Sequence, residues 1–287
     1  EDEKIVGTID NLEEKLEGKL PVTREELLVL VNSWGRKTTF STKDSQNKDI
    51  DIKSCEATQS EQTEFVRKEC YDLSKLDVSQ ITNMEDLFLF SDYNGDISNW
   101  NMSSVTNMSF MFHGSYNFNC DIENWDTSNV TDMNGMFSYA YNFNQNIGNW
   151  DTSRVTDMTR LFDWANSFNQ PLNWDVSSVI NMEGMFSDAR IFNQPLNFDT
   201  SNVKNMKSMF GNAKSFNKPL NSWDTSYVTN MSQMFRSAPN FTQPLNNWNT
   251  SKVIDMREMF RYATNFNQPL DSWDTSNVTN MYEMFYE

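Results

Sequence analysis

From Leu76 onward the apolar positions repeat every 24 or 25 residues, and residues 143–162, FNQNIGNWDTSRVTDMTRLF, show the unit most fully. With the residue ahead of the Asp-Thr-Ser turn as register mark, the column reads Leu76, Trp100, Trp125, Trp150, Trp174, Phe198, Trp223, Trp248 and Trp273. Three places on stands Ser in all nine copies, eight places on Met (Met84 to Met281), and twelve places on Phe (Phe88 to Phe285). A fixed period of this size marks a stack of units, each too small to bury its apolar face except against its neighbours. Within one unit Met133, Met136, Phe137 and Ala140 fall at i, i+3, i+4 and i+7, which predicts a short helix over Asp132–Ala140 with Asp132 near its N-cap. Ile147 and Trp150 lie in a piece bounded by turn residues, which predicts a strand of about four residues. Pro171, Pro195, Pro219, Pro244 and Pro269 stand just ahead of that piece, and a residue without an N–H fits the first position of a strand. Asp-Thr-Ser then turns the chain through its side-chain oxygens.

The predicted fold is therefore an α/β repeat solenoid, with a parallel sheet of short strands ~4.8 Å apart on one side and short helices on the other. It occupies residues 71–287 as eight repeats and a ninth cut short at Glu287, so the native chain is expected to continue. Eight or nine coils at the spacing of a sheet span ~40 Å. Residues 1–70 read as an acidic arm, a cap helix and a polar insert. Thr23-Arg24-Glu25-Glu26 is a capping box, and Leu27, Leu30, Val31 and Trp34 after it form one apolar helical face. A helix over about 23–34 is placed to cover the open edge of the first coil, which would otherwise expose unpaired backbone and core. The stretch after Gly35 is polar, with the alternating DIDI at 49–52 as its main pattern, and reads as a partly mobile insertion.

The columns together, as in FTQPLNNWNTSKVIDMREMF and FNQPLDSWDTSNVTNMYEMF, resemble the BspA-like surface-protein repeats of Mycoplasma and Listeria lipoproteins and of some protists, which are relatives of the leucine-rich repeats. The resemblance covers about residues 71–287, and PVTREELLVLV is similar to the cap helix that often precedes such arrays. Departures are small in the repeats: Phe198 stands for Trp, Tyr93 for the loop Phe in a shortened first unit, and Asn101 and Asn249 for Asp. The insert after Gly35 departs more. The resemblance implies a right-handed, leucine-rich-repeat-like coil exposed at a cell surface or outside the cell, used for adhesion or protein binding, with no catalysis.

Composition narrows the partners. The net charge is −17, and residues 1–71 hold 16 acidic and 11 basic side chains, which leaves 24 and 12 for the repeats. An array this acidic argues against nucleic acid or anionic lipid, both of which need clustered Lys and Arg. No stretch approaches the ~18 apolar residues of a membrane span. The first residue is Glu rather than Met, so any targeting peptide is expected to have been removed or to lie outside this sequence. Of the three cysteines, Cys55 and Cys70 are spaced so that a disulfide and two free thiols both remain open, and Cys120 reads as an ordinary free thiol.

Candidate chemistry is sparse. Of the 17 Met, nine fill one apolar column, seven fill a second and only Met102 falls outside, which is core packing rather than a soft-metal site. Asp77, Asp126, Asp151, Asp175, Asp199, Asp224 and Asp274 form a carboxylate row that reads as a repeated turn cap, with oxygen-ligand Ca²⁺ binding as the less favoured alternative. His113 is the only histidine, so a Ser-His-Asp arrangement would have to be built around it. No metal, cofactor or catalytic residue is assigned. Sequons at Asn101, Asn107, Asn129, Asn230, Asn240, Asn249 and Asn277 follow from what the repeat needs at those points. Specificity should lie where the units differ, and Tyr116, Tyr139, Tyr141, Trp164 and Tyr262 cluster in the variable loop ribbon after the Phe column. They are the candidate partner-binding residues, for a protein partner or a surface glycan, and shielding of the core edge is the bland alternative. A structural or spacer subunit of a larger assembly is the second function class. An ice- or glycan-binding face is the third, since Thr127, Thr152, Thr200, Thr225, Thr250 and Thr275 share one column.

Overall fold

A computed structural model describes residue 9, residues 11–32, the short segments 40–43, 49–52, 57–58 and 66–67, and residues 72–287. Trp34, Gly35, Cys55, Cys70 and Tyr71 lie outside the described residues, and with them the last residue of the expected cap face and the disulfide question. Helix α1 spans Leu12–Leu16 and helix α2 spans Arg24–Asn32. The capping box forms as read: Glu26 N–H donates to Thr23 Oγ1 (3.2 Å), and Thr23 N–H donates to Glu26 Oε2 (2.9 Å). In the insert, β1 (Phe40–Lys43) pairs antiparallel with β2 (Asp49–Ile52), and β3 (Ala57–Thr58) with β4 (Val66–Arg67).

Residues 72–287 form a stack of coils, each joined to the next by a parallel bridge that runs Asn83, Asn107, Asp132, Asp157, Asn181, Asn205, Asn230, Asp255, Asn280. The expected helix is replaced by a ribbon of turns. In the coil of Met133, alternate N–H groups divide between two partners. Met136, Ser138 and Ala140 donate to Met133, Gly135 and Phe137 three residues back, at 3.0–3.2 Å. Gly135, Phe137 and Tyr139 donate to Thr159, Leu161 and Asp163 of the next coil, at 2.7–3.0 Å. The i, i+3, i+4 pattern still brings Met133, Met136, Phe137 and Ala140 inward, since all four are fully buried. A turn ribbon keeps them there while supplying the bonds that hold coil to coil, which a helix, with each N–H spent on its own carbonyl at i−4, cannot do.

The ribbon has a backbone signature. Ten and fourteen places after the register mark the chain enters the left-handed region, as at Gly135 (φ 58°) and Tyr139 (φ 58°), or Arg160 (52°) and Trp164 (59°). Such a φ at the third residue of a turn is the requirement of the type II form. The Asn or Asp at the bridge, read from sequence as an N-cap, instead accepts the N–H two residues on, for example Asn134 N–H to Asp132 Oδ1 at 2.9 Å.

The expected strand at Ile147–Trp150 is also a turn, closed by Trp150 N–H to Ile147 O at 3.2 Å. Its indole Nε1 donates to Ile122 O of the preceding coil (3.1 Å), and Trp125, Trp174, Trp223 and Trp248 repeat that bond. The Trp column thus cross-links coils with a donor whose burial would otherwise be costly. Two Phe columns stack behind it: Phe186 lies 4.1 Å from Phe192 in its own coil and 5.5 and 5.8 Å from Phe162 and Phe210 on either side. An asparagine ladder runs along the outer return, with Asn144, Asn169 and Asn193 N–H each donating to the Oδ1 of the coil before at 2.9–3.0 Å.

Helix α2 caps this stack. Leu27, Leu30 and Val31 are buried on the first coil, and Val22 N–H donates to Asp77 O at 2.9 Å. Arg24 sends Nε to Asn83 O (3.1 Å) and Nη2 to Glu85 O (2.7 Å). The equivalent carbonyls of the next coil, Asn107 and Ser109, accept N–H groups from the coil before. One guanidinium therefore stands in for the two backbone donors of an absent coil.

Candidate functional site

The surface that varies between coils lies on the outer side of the turn ribbon, and its left-handed residues belong to the variable set. Phe90, Phe110, Tyr139, Arg160, Trp164 and Tyr262 all have φ between 51° and 59°. Because every coil holds these positions in the same backbone state, equivalent side chains stack from coil to coil. Tyr139 and Trp164 are parallel with ring centroids 5.8 Å apart, and Tyr116 and Tyr141 are parallel at 4.9 Å. Tyr139 also lies 6.2 Å from Tyr141, which joins the two stacks. Four of the five residues singled out from sequence, Tyr116, Tyr139, Tyr141 and Trp164, thus form one continuous strip. The fifth, Tyr262, stands apart near the C-terminal end, edge-on to Tyr286 at 5.9 Å and under the Arg261 guanidinium at 4.9 Å.

The strip extends further than the sequence reading. His113 packs edge-on against Phe90, Phe110 and Tyr139 at 5.2, 5.7 and 5.5 Å, so the aromatic surface runs from Phe90 to Trp164. Aligning the variable columns would have found these residues, since Phe90 shares a column with Tyr139 and Trp164, and Phe110 with Arg160. Phe90 is 57% exposed, which a core-edge shield would not require. Burial pushes the His113 imidazole below its ordinary value of 6.5, and its Nδ1 is enclosed without a hydrogen-bond partner. The histidine therefore serves the strip as a neutral ring at pH 7, and among the described residues no carboxylate or hydroxyl bonds to its Nδ1.

Beyond Trp164 the character changes. Arg190 lies over the indole at 5.1 Å, and a polar trough of about 270 Å³ opens between the two left-handed columns, from Tyr139 to Gln233. Gly184 leaves its floor open, with Arg160 Cγ lying only 3.3 Å from where a Cβ would stand. On one wall Lys207 Nζ donates to Glu183 Oε1 at 2.8 Å, and Asn205 Nδ2 donates to Glu183 Oε2 at 3.1 Å. Burial, the largest single influence, would raise the Glu183 pKa, but those two donors together with the Lys207 and Arg160 charges outweigh it and hold it below its ordinary value. On the other wall Asp163 is buried, and that burial pushes its carboxyl up to about 6 despite a hydrogen bond from Ser187.

Two other columns have structural roles. Each Asp of the row accepts bonds from the Ser two residues on, as Asp151 Oδ1 does from Ser153 N–H (3.0 Å) and Oγ (2.6 Å). No group of three or more potential metal ligands occurs among the described residues. The Thr column read as an ice-binding face does not form one: Thr127, Thr152, Thr200, Thr225 and Thr250 are each 1% exposed, and only Thr275, in the last coil, is open to solvent. The hydroxyls of these five donate to a carbonyl of the next coil, as Thr152 does to Asp175 O at 2.7 Å, so none of the five is left to order water. Among the described residues no helix is long and apolar enough to cross a membrane.

Comparison with known proteins places the repeats. The family described as Mycoplasma protein of unknown function, DUF285, matches residues 53–173, 142–229 and 218–287, three successive stretches that overlap at their ends. No curated protein and no solved structure matches the chain.

Proposed function

The chain belongs to the family described as Mycoplasma protein of unknown function, DUF285, and on that footing we propose that it is a non-catalytic, surface-exposed binding or adhesion scaffold that engages a partner through its aromatic strip. One observation carries this reading: Phe90, Phe110, His113, Tyr139, Tyr141, Tyr116 and Trp164 are joined ring to ring on the one face whose residues differ from coil to coil. The buried columns are constrained by packing and the turns by backbone bonding, so this face is free to acquire specificity while the stack stays the same. Large amphipathic rings held rigid by neighbours lose little entropy on contact, which is the property of binding hot spots. Kinship with BspA-like and leucine-rich repeats belongs to the same proposal and is supported by the one parallel bridge per coil.

The test compares labelled wild type with a Tyr141→Ala, Trp164→Ala double variant on a panel of intact cultured animal cells. Truncating a central anchor typically costs about 2 kcal/mol or more, and ~1.4 kcal/mol is already tenfold. The double variant should keep its unfolding midpoint within a few degrees and bind at least about tenfold more weakly. Equal binding by the double variant, with loss on Asn246→Ala, Asn247→Ala at the Trp-side turn, would move the recognition surface to the other side of the coil.

A further inference from the structure

Resting on that reading, we propose that the trough beside Trp164 is a subsite for a linear oligosaccharide laid along the stack axis. The trough crosses from the coil of Tyr139 to that of Gln233, four coil steps, or ~19 Å at the spacing of parallel bridged chains. Its shape suits an extended chain rather than a compact ligand.

The chemistry of the walls selects among extended chains. A peptide gains its affinity in such a groove from main-chain pairing. Here the ribbon's alternate N–H groups are spent on the next coil, as Arg160 N–H is on Glu183 O (2.8 Å) and Ser208 N–H on Ser232 O (2.9 Å). What remains are side chains in which donors and acceptors alternate at close range. Lys207 stands against Glu183 at 2.8 Å, and Ser208 Oγ against Gln233 Oε1 at 3.2 Å. Gln233 Nε2 in turn donates to Glu258 at 3.2 Å. A sugar hydroxyl donates and accepts at once, so a polyhydroxylated chain matches such a lining where a polyanion or an apolar helix does not. Arg160 is exposed on the rim with no ion pair among the described residues, which leaves a fork of donors free for ring or hydroxyl oxygens. Trp164 and Tyr139 close one end, and with Tyr139 against one face of the indole and Arg190 over it they offer ring edges as an apolar stop for the end of the chain. Gly184 provides the room, because any side chain there would meet Arg160 and fill the floor.

The test is calorimetric titration of the full chain with three probes: cellotetraose, chitotetraose and a tetrameric polyuronate. Parallel runs use Arg160→Ala and Gln233→Ala, two side chains outside the core. At least one of the two neutral tetrasaccharides should bind with Kd below about 1 mM and more tightly than the polyuronate, and both variants should weaken it about tenfold or more with unchanged unfolding midpoints. Binding of neither neutral probe, preference for the polyuronate, or equal binding by both variants overturns the proposal, as does preferential binding of an extended peptide library that competes for the same residues. A failure here with retained cell binding that depends on Tyr141 and Trp164 would leave the aromatic strip standing and remove only the saccharide subsite.

Discussion

Asp163 is the residue at which the structure makes its sharpest energetic statement. It is 8% exposed, and its carboxyl is pushed from an ordinary 3.8 to about 6, first by burial and only partly offset by the Ser187 hydrogen bond and the Arg160 charge. A carboxyl whose folded pKa is raised binds more protons folded than unfolded between those two values. Stability therefore falls as pH rises from about 4 to about 6 and stays at the lower level above that. At about 1.36 kcal/mol per pKa unit, the gap corresponds to ~3 kcal/mol of charge burial at pH 8. Asp163→Asn keeps the shape and an acceptor for Ser187 but removes the charge. It should therefore stabilise the protein by about 1–3 kcal/mol at pH 8 and leave it nearly unchanged at pH 4. Denaturant unfolding followed by Trp fluorescence at both pH values reads this directly, and the slope should be checked between variants because repeat stacks can lose cooperativity. Two other titrations do not disturb the comparison. His113, whose pKa is lowered by burial, costs stability as pH falls below 6.5, but it does so equally in both proteins. The turn carboxylates Asp151 and Asp175 are held low by their serine hydrogen bonds, so their contribution fades only as pH falls below 3.8. Destabilisation by Asp163→Asn at pH 8, or a difference independent of pH, would refute the assignment of Asp163 as a strained buried charge.

Phe186→Ala removes a fully buried ring stacked on three others and should cost roughly 3–5 kcal/mol in denaturant unfolding; a loss under about 1 kcal/mol would mean the Phe columns do not carry the core. Arg24→Ala leaves the Asn83 and Glu85 backbone carbonyls without their charged donor and should cost about 2 kcal/mol, with hydrogen exchange rising in the first coil before the rest. Calcium and chelator should leave the melting temperature unchanged if the Asp row only caps turns, whereas a site filled at 100 times its Kd would add about 2.7 kcal/mol.

Much of this molecule is local enough to be written in the chain itself. The columns of Met, Phe and Val are spaced for a single apolar stripe, so their burial in every coil that has a neighbour on both sides follows from the period, while Met281 and Phe285 of the last coil stay exposed. Thr23 and Glu26 sit three apart and cap each other without help, and each Asp finds its Ser two residues on. What the period does not contain is where a backbone N–H goes once a neighbour lies alongside. Met133, Met136, Phe137 and Ala140 satisfy a helix and a turn ribbon equally well. The ribbon prevails because carbonyls 24 residues away arrive in register and take every second donor. The left-handed residues share that origin: Phe110, Arg160, Trp164 and Tyr262 do not choose such a backbone alone, and only the inter-coil bonds on either side hold them there. The same neighbour decides the fate of the threonines, whose hydroxyls turn inward to the next coil's carbonyl rather than out to water. It also builds the strip and the trough, since rings and charges 24 or 25 residues apart become neighbours only when coils stack.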